Sequence, residues 1–584
     1  MAKSLKKKEW IFYFILLVIT IGICFPYLKM KSISTTDEFV SIAIPYQLAG
    51  AEWGDIISSR NWHGYGTTII LVPFLRFLDA GMIMPAFLIL GIIVRSACVL
   101  ITYFISNHIC KVKGTISFFI SLIVAFGFLG NCTYGETNIL QELPMVLICL
   151  LVALLMFQNK LQWYRTVIAA ILSGYLVLIH SRYIVVCFSL FIVLLLKCCL
   201  EKRGYLNILI FVTVVGIGVL GFNHLNSEVT RMCFSNHAKT VSNTVNSMTK
   251  TKSLFAYFER LCRNGIWEIF RMILGLLASF TFWSLGLIWV AILVCFKSIK
   301  SALKSKKMLE PEHYIGLFGI AMFFVMIILL TVIAMEGKGE KLYRNYMLVR
   351  YAMPFTWMII LGGAIILSKG IHEYKKEVIV SGLISVFLEI SFIDVLAKWF
   401  DSENYLFRGS PFRYFLLANE FEWESFIQYF DILTKLTVVL FVLLLLCLTE
   451  KKLLLITLLY LALSGVYIIG NYNYFVFRTN SILYPKIEES KKIVAEISED
   501  LTPSDYTIYY SGTDFYTMLL RMEFPFKEMK YIEDFEEIDI SGNYILLTDD
   551  ITINPSQSFY ELDESEFILT NMDVLKERNI FNEY

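Results

Sequence analysis

STTDEFVSIAIPYQLAGAEWGDIISSRNWHGYGTTIILVPFLR, residues 34–76, is a polar and amphipathic stretch between two long apolar blocks. The block before it, 10–28, and the block after it, 82–105, each have the length of roughly 20 residues that crosses a bilayer. An adjacent acid pair, Asp37 and Glu38, stands near the start of the stretch. We therefore predict an elaborated loop at a membrane surface, the kind of segment in which functional residues concentrate.

The composition of the whole chain is typical of a membrane protein. Hydrophobic residues make up 57% of the 584 positions and charged residues 17%, whereas soluble chains average about half apolar and a quarter charged. The apolar residues form about thirteen blocks of near-spanning length: 10–28, 82–105, 115–130, 143–157, 166–180, 183–197, 206–222, 266–296, 313–334, 351–367, 377–397, 431–448 and 453–470. We predict a polytopic α-helical membrane protein with about 13 transmembrane helices.

The basic residues between these blocks predict the orientation, because loops rich in Lys and Arg stay on the cytoplasmic side. With the N-terminus inside, every predicted inner loop is basic, most clearly the lysine-rich loop 297–307. The long loops 29–81, 223–265 and 398–430 then lie outside, together with the C-terminal region. We predict a multi-pass protein of the cell membrane with a cytoplasmic N-terminus.

The C-terminal region differs sharply in charge from the rest of the chain. From Ser481 to Tyr584 there are 23 acidic and 8 basic residues, although the net charge of the whole chain is only +1. Opposite charge balances in two regions indicate two environments. We predict a transmembrane domain over 1–475, with the first outer loop 29–81 carrying the acid pair, and an acidic extracytoplasmic α/β domain over 480–584.

Short apolar and aromatic runs predict the elements of the second domain. Tyr506–Tyr510, Tyr544–Leu547 and Phe567–Thr570 are typical of strands. Residues 485–499 and Asp514–Met522 are predicted to be helices. A small α/β fold follows, and a fold alone assigns no function.

The acid pair has two interpretations. Thr35 followed by Glu38 matches a capping box, and acids are favoured in the first turn of any helix. A carboxylate at the outer surface is also suited to accept the proton of a hydroxyl that attacks a sugar's anomeric carbon. The two interpretations are compatible, because a capped helix also aims its carboxylates.

The order of these features resembles the polyprenyl-phosphate-dependent glycosyltransferases of the C superfamily, which include protein O-mannosyltransferases and the lipid A aminoarabinose transferase. The likeness is architectural over most of the chain and residue-level over the first outer loop. The matching residues are Asp37-Glu38, Ala43, Leu48-Ala49-Gly50, Gly64-Tyr65-Gly66 and Pro73. Pro45 inside the amphipathic segment and the lack of a Pro-Pro dipeptide before the second span are departures from the family pattern.

The resemblance implies roles for these residues and a donor for the reaction. Asp37 is expected to be the general base, with Glu38 as its orienting partner or a second candidate. His63, in the turn before the second span, is a candidate substrate-binding residue. The expected partners are a sugar on undecaprenyl or dolichyl phosphate, membrane lipid and a hydroxyl acceptor of unknown identity, with no nucleic acid. The sequence contains no Gly-rich phosphate loop or Walker motif, and a lipid-phosphate donor requires none.

A second acidic candidate lies in the outer segment NCTYGETNILQELP, which contains Glu136 and Glu142. Glu142 ranks first because it directly precedes an apolar block, where an acid is costly unless it is paired or solvated. Superfamily members often place an acid here to bind sugar or metal, and the alternative is a solvated loop acid. A divalent cation is compatible with oxygen ligands from Asp37, Glu38 and Glu142 but is not required.

The phosphate of such a donor needs cations. Arg182 and Tyr183 lie in a tight outer turn, and Arg344 and Arg350 lie in the segment LYRNYMLVRYAMP. The Arg350-Tyr351 pair, which starts an apolar block, resembles the Arg-Tyr that opens a late helix in many superfamily members. Each arginine either anchors the protein at the interface or holds a phosphate with its guanidinium fork.

The function predicted first is an inverting transferase that moves a sugar from polyprenyl phosphate to a lipid, glycan or protein hydroxyl. Three alternatives remain open: a surface polysaccharide polymerase, a lipid-linked saccharide flippase or transporter, and a non-enzymatic membrane scaffold. The early acid pair argues against the polymerase. A transporter often shows repeated halves, and the sequence has no convincing inverted repeat.

Overall fold

The computed structural model of the protein describes most of its helical region and part of its C-terminal region. The described residues are 7–31, 36–54, 65–78, 80–127, 141–158, 161–233, 254–306, 308–334, 352–393, 423–450, 457–458, 460–465, 468–469, 476, 480–481, 484–497, 505–510, 524, 527, 529–532, 537–539, 541–548, 558–563 and 566–570. The chain divides into two compact units. Unit 1 contains Met1–Phe25, Gly91–Phe222 and Lys252–Tyr472, and unit 2 contains Pro26–Leu90, Asn223–Thr251 and Asn473–Tyr584.

The described chain is mostly helical. Its longer helices are α1 Lys7–Cys24, α2 Thr36–Leu48, α3 Ala80–Phe104, α4 Gly114–Phe126, α5 Glu142–Met156, α6 Trp163–Ile179, α7 Ile184–Glu201, α8 Tyr205–Cys233, α9 Leu254–Ser284, α10 Leu287–Lys304, α11 Pro311–Ala334, α12 Met353–Gly370, α13 Lys375–Ser391, α14 Trp423–Glu450 and α15 Tyr484–Ile497. Short 3-10 helices cover Phe25–Lys29, Thr68–Leu71 and Ser181–Tyr183, and a short α-helix covers Val72–Leu75.

The apolar helices confirm a multi-pass membrane protein. Among the described residues, seven helical segments are long and apolar enough to cross a membrane, and α4, α5 and α6 are shorter apolar helices of 13, 15 and 17 residues. The predicted blocks coincide with helices over most of the chain, while 453–470 is described only in part. The predicted count of thirteen spans and the predicted sidedness of the termini stay predictions.

One predicted block, 266–296, is wrong as a single helix. The structure divides it into α9 and α10 at Leu285 and Gly286, whose φ angles are +46° and +74°. The Leu285 N–H bonds the Phe282 carbonyl at 3.2 Å and the Gly286 N–H bonds the Thr281 carbonyl at 2.9 Å, a Schellman arrangement in which Leu285 takes the left-handed position that is usually glycine. Hydropathy does not register this break, because apolar residues continue through it on both sides.

Although the break separates them, α9 and α10 pack one after the other along the length of α13. Contacts run from one end of α13 to the other in reverse order: Phe282 with Phe392, Gly286 with Ser385, and Lys297 with Glu377. A hairpin at Gly286 would have reversed this order halfway. The two helices therefore form one bent element, which is consistent with the single crossing that the predicted loop alternation needs.

Within its described residues, the C-terminal region contains a mixed sheet of five strands in the order β2-β1-β3-β5-β4. Its strands are β1 Tyr506–Tyr510, β2 Met529–Tyr531, β3 Asn543–Thr548, β4 Ser558–Asp563 and β5 Glu566–Thr570. β1 pairs in parallel with β2 and β3, while β5 pairs antiparallel with β3 and β4. The predicted small α/β fold is confirmed.

Three of these strands were predicted from the sequence and two were not. β1, β3 and β5 are apolar or aromatic runs, and two of them supply buried core residues such as Tyr509, Tyr544 and Leu546. β2 has three residues and β4 is rich in acids, so neither shows a strand pattern. The predicted helix at 485–499 is α15, and the predicted helix at Asp514–Met522 lies outside the described residues.

Candidate active site

The acid pair lies in the first turn of α2, as the sequence predicts. α2 begins at Thr36, so Asp37 and Glu38 are close to the helix end whose partial positive charge favours acids. Thr35, the predicted cap, and the side chains of the acid pair lie outside the described part of the structure. The capping and catalytic roles therefore stay predictions.

The second half of α2 is buried within unit 2. Ile42, Ala43, Ile44 and Tyr46 are all inaccessible or nearly so. The Tyr46 ring stacks on Trp53, with 4.7 Å between centroids and 14° between planes. Burial raises the pKa of the Tyr46 phenol, so this side chain stays neutral at physiological pH. The packing indicates that the part of α2 after the acid pair is a rigid support.

The Leu48-Ala49-Gly50 sequence of the predicted motif ends α2. The Gly50 N–H bonds the Gln47 carbonyl and the Ala51 N–H bonds the Tyr46 carbonyl, both at 3.0 Å, which is the Schellman arrangement. Gly50 has φ +97°, a conformation that only glycine adopts readily.

An arginine completes this helix end. Arg76 donates through Nε to the Ala49 carbonyl, and a Cβ at Gly50 would lie 2.6 Å from the Arg76 guanidinium. A cation is favoured at a helix C-terminus and an acid at its N-terminus, so α2 carries both charges at their favourable ends. The motif glycine is thus explained by the close approach of Arg76.

Glu142, Arg182 and Tyr183, which the sequence predicts from separate segments, form one cluster in unit 1. Glu142 is the first residue of α5, and Arg182 lies in the turn between α6 and α7. Arg182 Nη2 is 3.4 Å from Glu142 Oε1 and 3.4 Å from the Tyr183 hydroxyl. The Arg182 N–H also bonds His180 Nδ1 at 3.2 Å, which holds the turn.

The cluster is almost completely removed from solvent. The side chains of Arg182 and Glu142 are 8% and 2% exposed, and Tyr183 is fully buried, with its ring nearly perpendicular to that of Phe355. Removing one member of a buried ion pair costs about 3–5 kcal/mol, because the other charge is left uncompensated. Glu142 is therefore not a solvated loop acid in this structure, and Arg182 does not extend freely into a headgroup region.

Arg95 is a buried cation that the sequence reasoning did not include in the site. It lies inside the apolar helix α3, is inaccessible to solvent, and donates from Nη2 to the Ala125 carbonyl at 2.7 Å near the end of α4. One turn later, Cys98 contacts the Leu143 carbonyl, next to Glu142. Arg95 therefore lies at the same end of unit 1 as the Glu142 cluster. The sequence feature that could have identified it is a lone arginine within an apolar block.

Comparison with known proteins gives a structural match but no sequence match. No protein-family model matches the sequence, and no curated protein matches it significantly. Two crystal structures of ArnT from Cupriavidus metallidurans, one bound to undecaprenyl phosphate and one in the apo state, align over 97% of this chain and 99% of ArnT. The identity is 13%, and the TM-scores are 0.52 and 0.51. The chain shares the fold of ArnT.

The match to ArnT confirms the predicted resemblance at the level of the fold. The match extends over nearly the full length of both chains, so it includes the C-terminal region as well as the helices. At 13% identity it does not transfer the role of any single residue.

Several predicted site residues lie outside the described residues of this ArnT-like fold: His63, Glu136, Arg344, Arg350 and Tyr351. Their predicted roles stay predictions. Within the described part of the chain, no three His, Cys, Asp or Glu side chains come together as a metal site. Since the side chains of Asp37 and Glu38 are not among those described, the question of a divalent cation stays open.

Proposed function

We propose that the protein is an inverting membrane glycosyltransferase that moves a sugar from a polyprenyl-phosphate donor to a hydroxyl acceptor at the outer membrane face. The observation that carries this proposal is the fold shared with ArnT over 97% of the chain, since one of the ArnT structures holds undecaprenyl phosphate. The proposal takes its general base from the acid pair at the start of α2.

In the proposed reaction the acceptor oxygen attacks the anomeric carbon while the bond from that carbon to the phosphate oxygen breaks. The departing polyprenyl phosphate keeps the electron pair, and the acceptor's proton passes to the Asp37 carboxylate. Glu38 orients Asp37 or the acceptor. The second half of α2 is packed around Tyr46 and Trp53, which supports a fixed position for the acid pair at its start.

The departing phosphate requires positive charge, and the candidate arginines differ in their surroundings. Glu142 lies 3.4 Å from Arg182 and offsets much of its charge, so Arg182 is suited to hold the cluster together while contributing a hydrogen bond to the donor. Arg350, at the start of a late apolar block, is proposed as the main phosphate ligand, with Arg344 and Tyr351 beside it. A guanidinium binds phosphate through two parallel N–H groups, which lysine lacks.

The experiment that tests the proposal replaces Asp37 with Asn. Asn has nearly the same size and shape as Asp, and the change lies in the first turn of a helix, so the variant should fold and express like the wild type. If Asp37 is the base, transfer should fall by about two to four orders of magnitude. The measurement is sugar transfer from a polyprenyl-phosphate donor in membranes with matched protein amounts.

Glu38→Gln is the matched control, because it changes the adjacent acid in the same helical turn. It should reduce transfer much less than Asp37→Asn. A dead Glu38→Gln beside an active Asp37→Asn would exchange the two roles. Full activity in both variants would refute the proposed mechanism.

A further inference from the structure

Asn480 joins the start of the C-terminal region to the segment that leads into α2. Its side-chain Nδ2 donates to the Lys29 carbonyl at 2.7 Å, and its Oδ1 accepts from the Lys31 N–H at 3.1 Å. The Lys31 ammonium lies 4.4 Å from the centroid of the Tyr484 ring, at the first residue of α15. We name these four residues, Lys29, Lys31, Asn480 and Tyr484, the Asn480 clamp.

The chemistry of the clamp is specific to an amide. The Lys29 carbonyl accepts a hydrogen bond and the Lys31 N–H donates one, and a single side-chain amide can pair with both groups at once. An aspartate accepts but does not donate, and an aliphatic residue does neither. The two bonds connect positions about 450 residues apart in sequence, as the separations of 449 and 451 show.

The clamp lies close to the acid pair along the chain. Lys31 precedes Asp37 by six residues, so the two Cα atoms are at most about 20 Å apart at the full extension of a polypeptide. All of these residues belong to unit 2. The clamp therefore fixes the chain shortly before the N-terminal end of α2, which is the end that carries Asp37 and Glu38.

Both flanks of α2 are thereby held. Its C-terminal end is closed by Gly50 and by the bond from Arg76 to the Ala49 carbonyl. On the clamp side, α15 is itself anchored, since Ile487 and Val494 are 2% and 1% exposed. A helix held at one end only would pivot about that end, so the clamp restricts the position of the end that carries Asp37.

We propose that Asn480 is a positioning residue through which the C-terminal region orients the acid-bearing helix α2. The catalytic part of this inference rests on the proposed glycosyltransferase function, whereas its structural part does not. Asn480 acts through α2 and does not itself contact substrate. On this proposal, the C-terminal region has a role in catalysis.

The test combines hydrogen exchange with kinetics on the full-length protein in detergent or nanodiscs. Asn480→Ala should speed amide exchange at Lys31 and in the first turns of α2, while exchange in β1 and β3 stays unchanged. Asn480→Asp, which keeps the acceptor, should leave the Lys31 amide better protected than Asn480→Ala does. Ser541→Ala, which removes an exposed hydroxyl that bonds Asp539 within the same turn of unit 2, is the matched control and should change neither region.

In the transfer assay, Asn480→Ala should lower kcat by about 10- to 100-fold, the scale of a small misplacement of a reacting group, with the donor KM within about twofold of wild type. Faster exchange in α2 with an unchanged kcat would overturn the catalytic part. Unchanged exchange in α2 would overturn the whole inference. A wild-type protein that transfers no sugar would refute the proposed function, and the exchange data would still decide whether the clamp positions α2.

Discussion

Glu142 and Glu312 are two acids in matched settings at opposite ends of unit 1. Each lies in the first turn of a helix, α5 or α11, and each is 1% exposed. They are at opposite ends because α5 finishes at Met156, whose carbonyl accepts from Lys197, and the Lys197 ammonium lies 4.7 Å from the ring of Tyr314, two residues after Glu312.

The two acids differ in how their partners are placed. Glu312 pairs with Lys369, in the last turn of α12, and Lys369 also reaches Glu310 at 2.8 Å. There, each charge lies at the helix end that favours it, with acids at an N-terminus and the cation at a C-terminus. Arg182, the partner of Glu142, lies in a turn between the end of α6 and the start of α7, where the two helix dipoles oppose each other.

This difference indicates that the Glu312 cluster stabilises the fold, whereas the Glu142 cluster is a candidate functional site. At the Glu312 end, helix dipoles and side-chain pairing act together, and Lys369 is 37% exposed to water. At the Glu142 end, the α5 dipole favours the acid, but Arg182 lies between two opposed dipoles, and the burial of both side chains is costly to maintain and common at functional sites. Lys297, in the loop predicted to set the topology, joins its neighbouring helix through Glu377, as Lys369 does through Glu312.

The largest expected effect concerns stability. Arg182→Ala should lower the free energy of unfolding by about 3–5 kcal/mol, because it leaves the Glu142 carboxylate buried without its cation. Lys369→Ala, the matched change at the other end, should cost less, because Lys369 is 37% exposed and water can partly solvate the Glu312 carboxylate in its place. Denaturant unfolding in mixed micelles measures both values. Equal losses would mean that the two clusters are energetically alike.

The second prediction concerns activity at the same two acids. Glu142→Gln should reduce sugar transfer by about 10- to 100-fold, because hydrogen bonds to charged groups contribute about 1.5–3 kcal/mol. Glu312→Gln should leave transfer within about threefold of wild type. The assay is transfer from the lipid-phosphate donor with matched protein amounts. A larger loss for Glu312→Gln would mean that the active site lies at the Glu312 end of unit 1 and not at the Glu142 end.

The third prediction compares two arginines as phosphate ligands. Arg350→Ala should raise the donor KM by about tenfold, which corresponds to the loss of roughly one charge-assisted hydrogen bond. Arg350→Lys should restore only part of that loss. Arg182→Ala should raise the donor KM less, since Glu142 already offsets its charge. Donor saturation curves measure the difference. An unchanged KM in Arg350→Ala would remove Arg350 from the site.

The smallest effect is expected at the end of α2, where the favourable charge placement seen at Glu312 recurs. Gly50→Ala should cost about 1–2 kcal/mol, because φ +97° is strained for an L-residue and the new Cβ would press on Arg76. Gly22→Ala in α1 is the control, because its Cβ would meet nothing within 4 Å. The control should lose no stability. Chemical unfolding measures both, and a neutral Gly50→Ala would mean that the helix end can rearrange.

Much of the fold was predictable because its signals are local. Apolar blocks of spanning length, the acidic C-terminal region and the strand patterns of β1, β3 and β5 are properties of short segments. The acid pair was recognisable for the same reason, since Asp37 and Glu38 are adjacent and directly follow the first span. The failures were also local: β2 is too short and β4 too acidic to show a strand pattern, and the break at Gly286 lies within continuous apolar sequence.

By itself, the sequence determined the class of the protein, the helical blocks and a set of candidate charges. Only the tertiary structure decided which of those charges meet, because residues 40 positions apart, such as Glu142 and Arg182, come together through the packing of α5 against the α6–α7 turn. It also decided that Asn480 bonds the chain at Lys29 and Lys31. The physical reason is that periodicity and composition report on burial along one segment, whereas pairing depends on how separate segments are arranged in space.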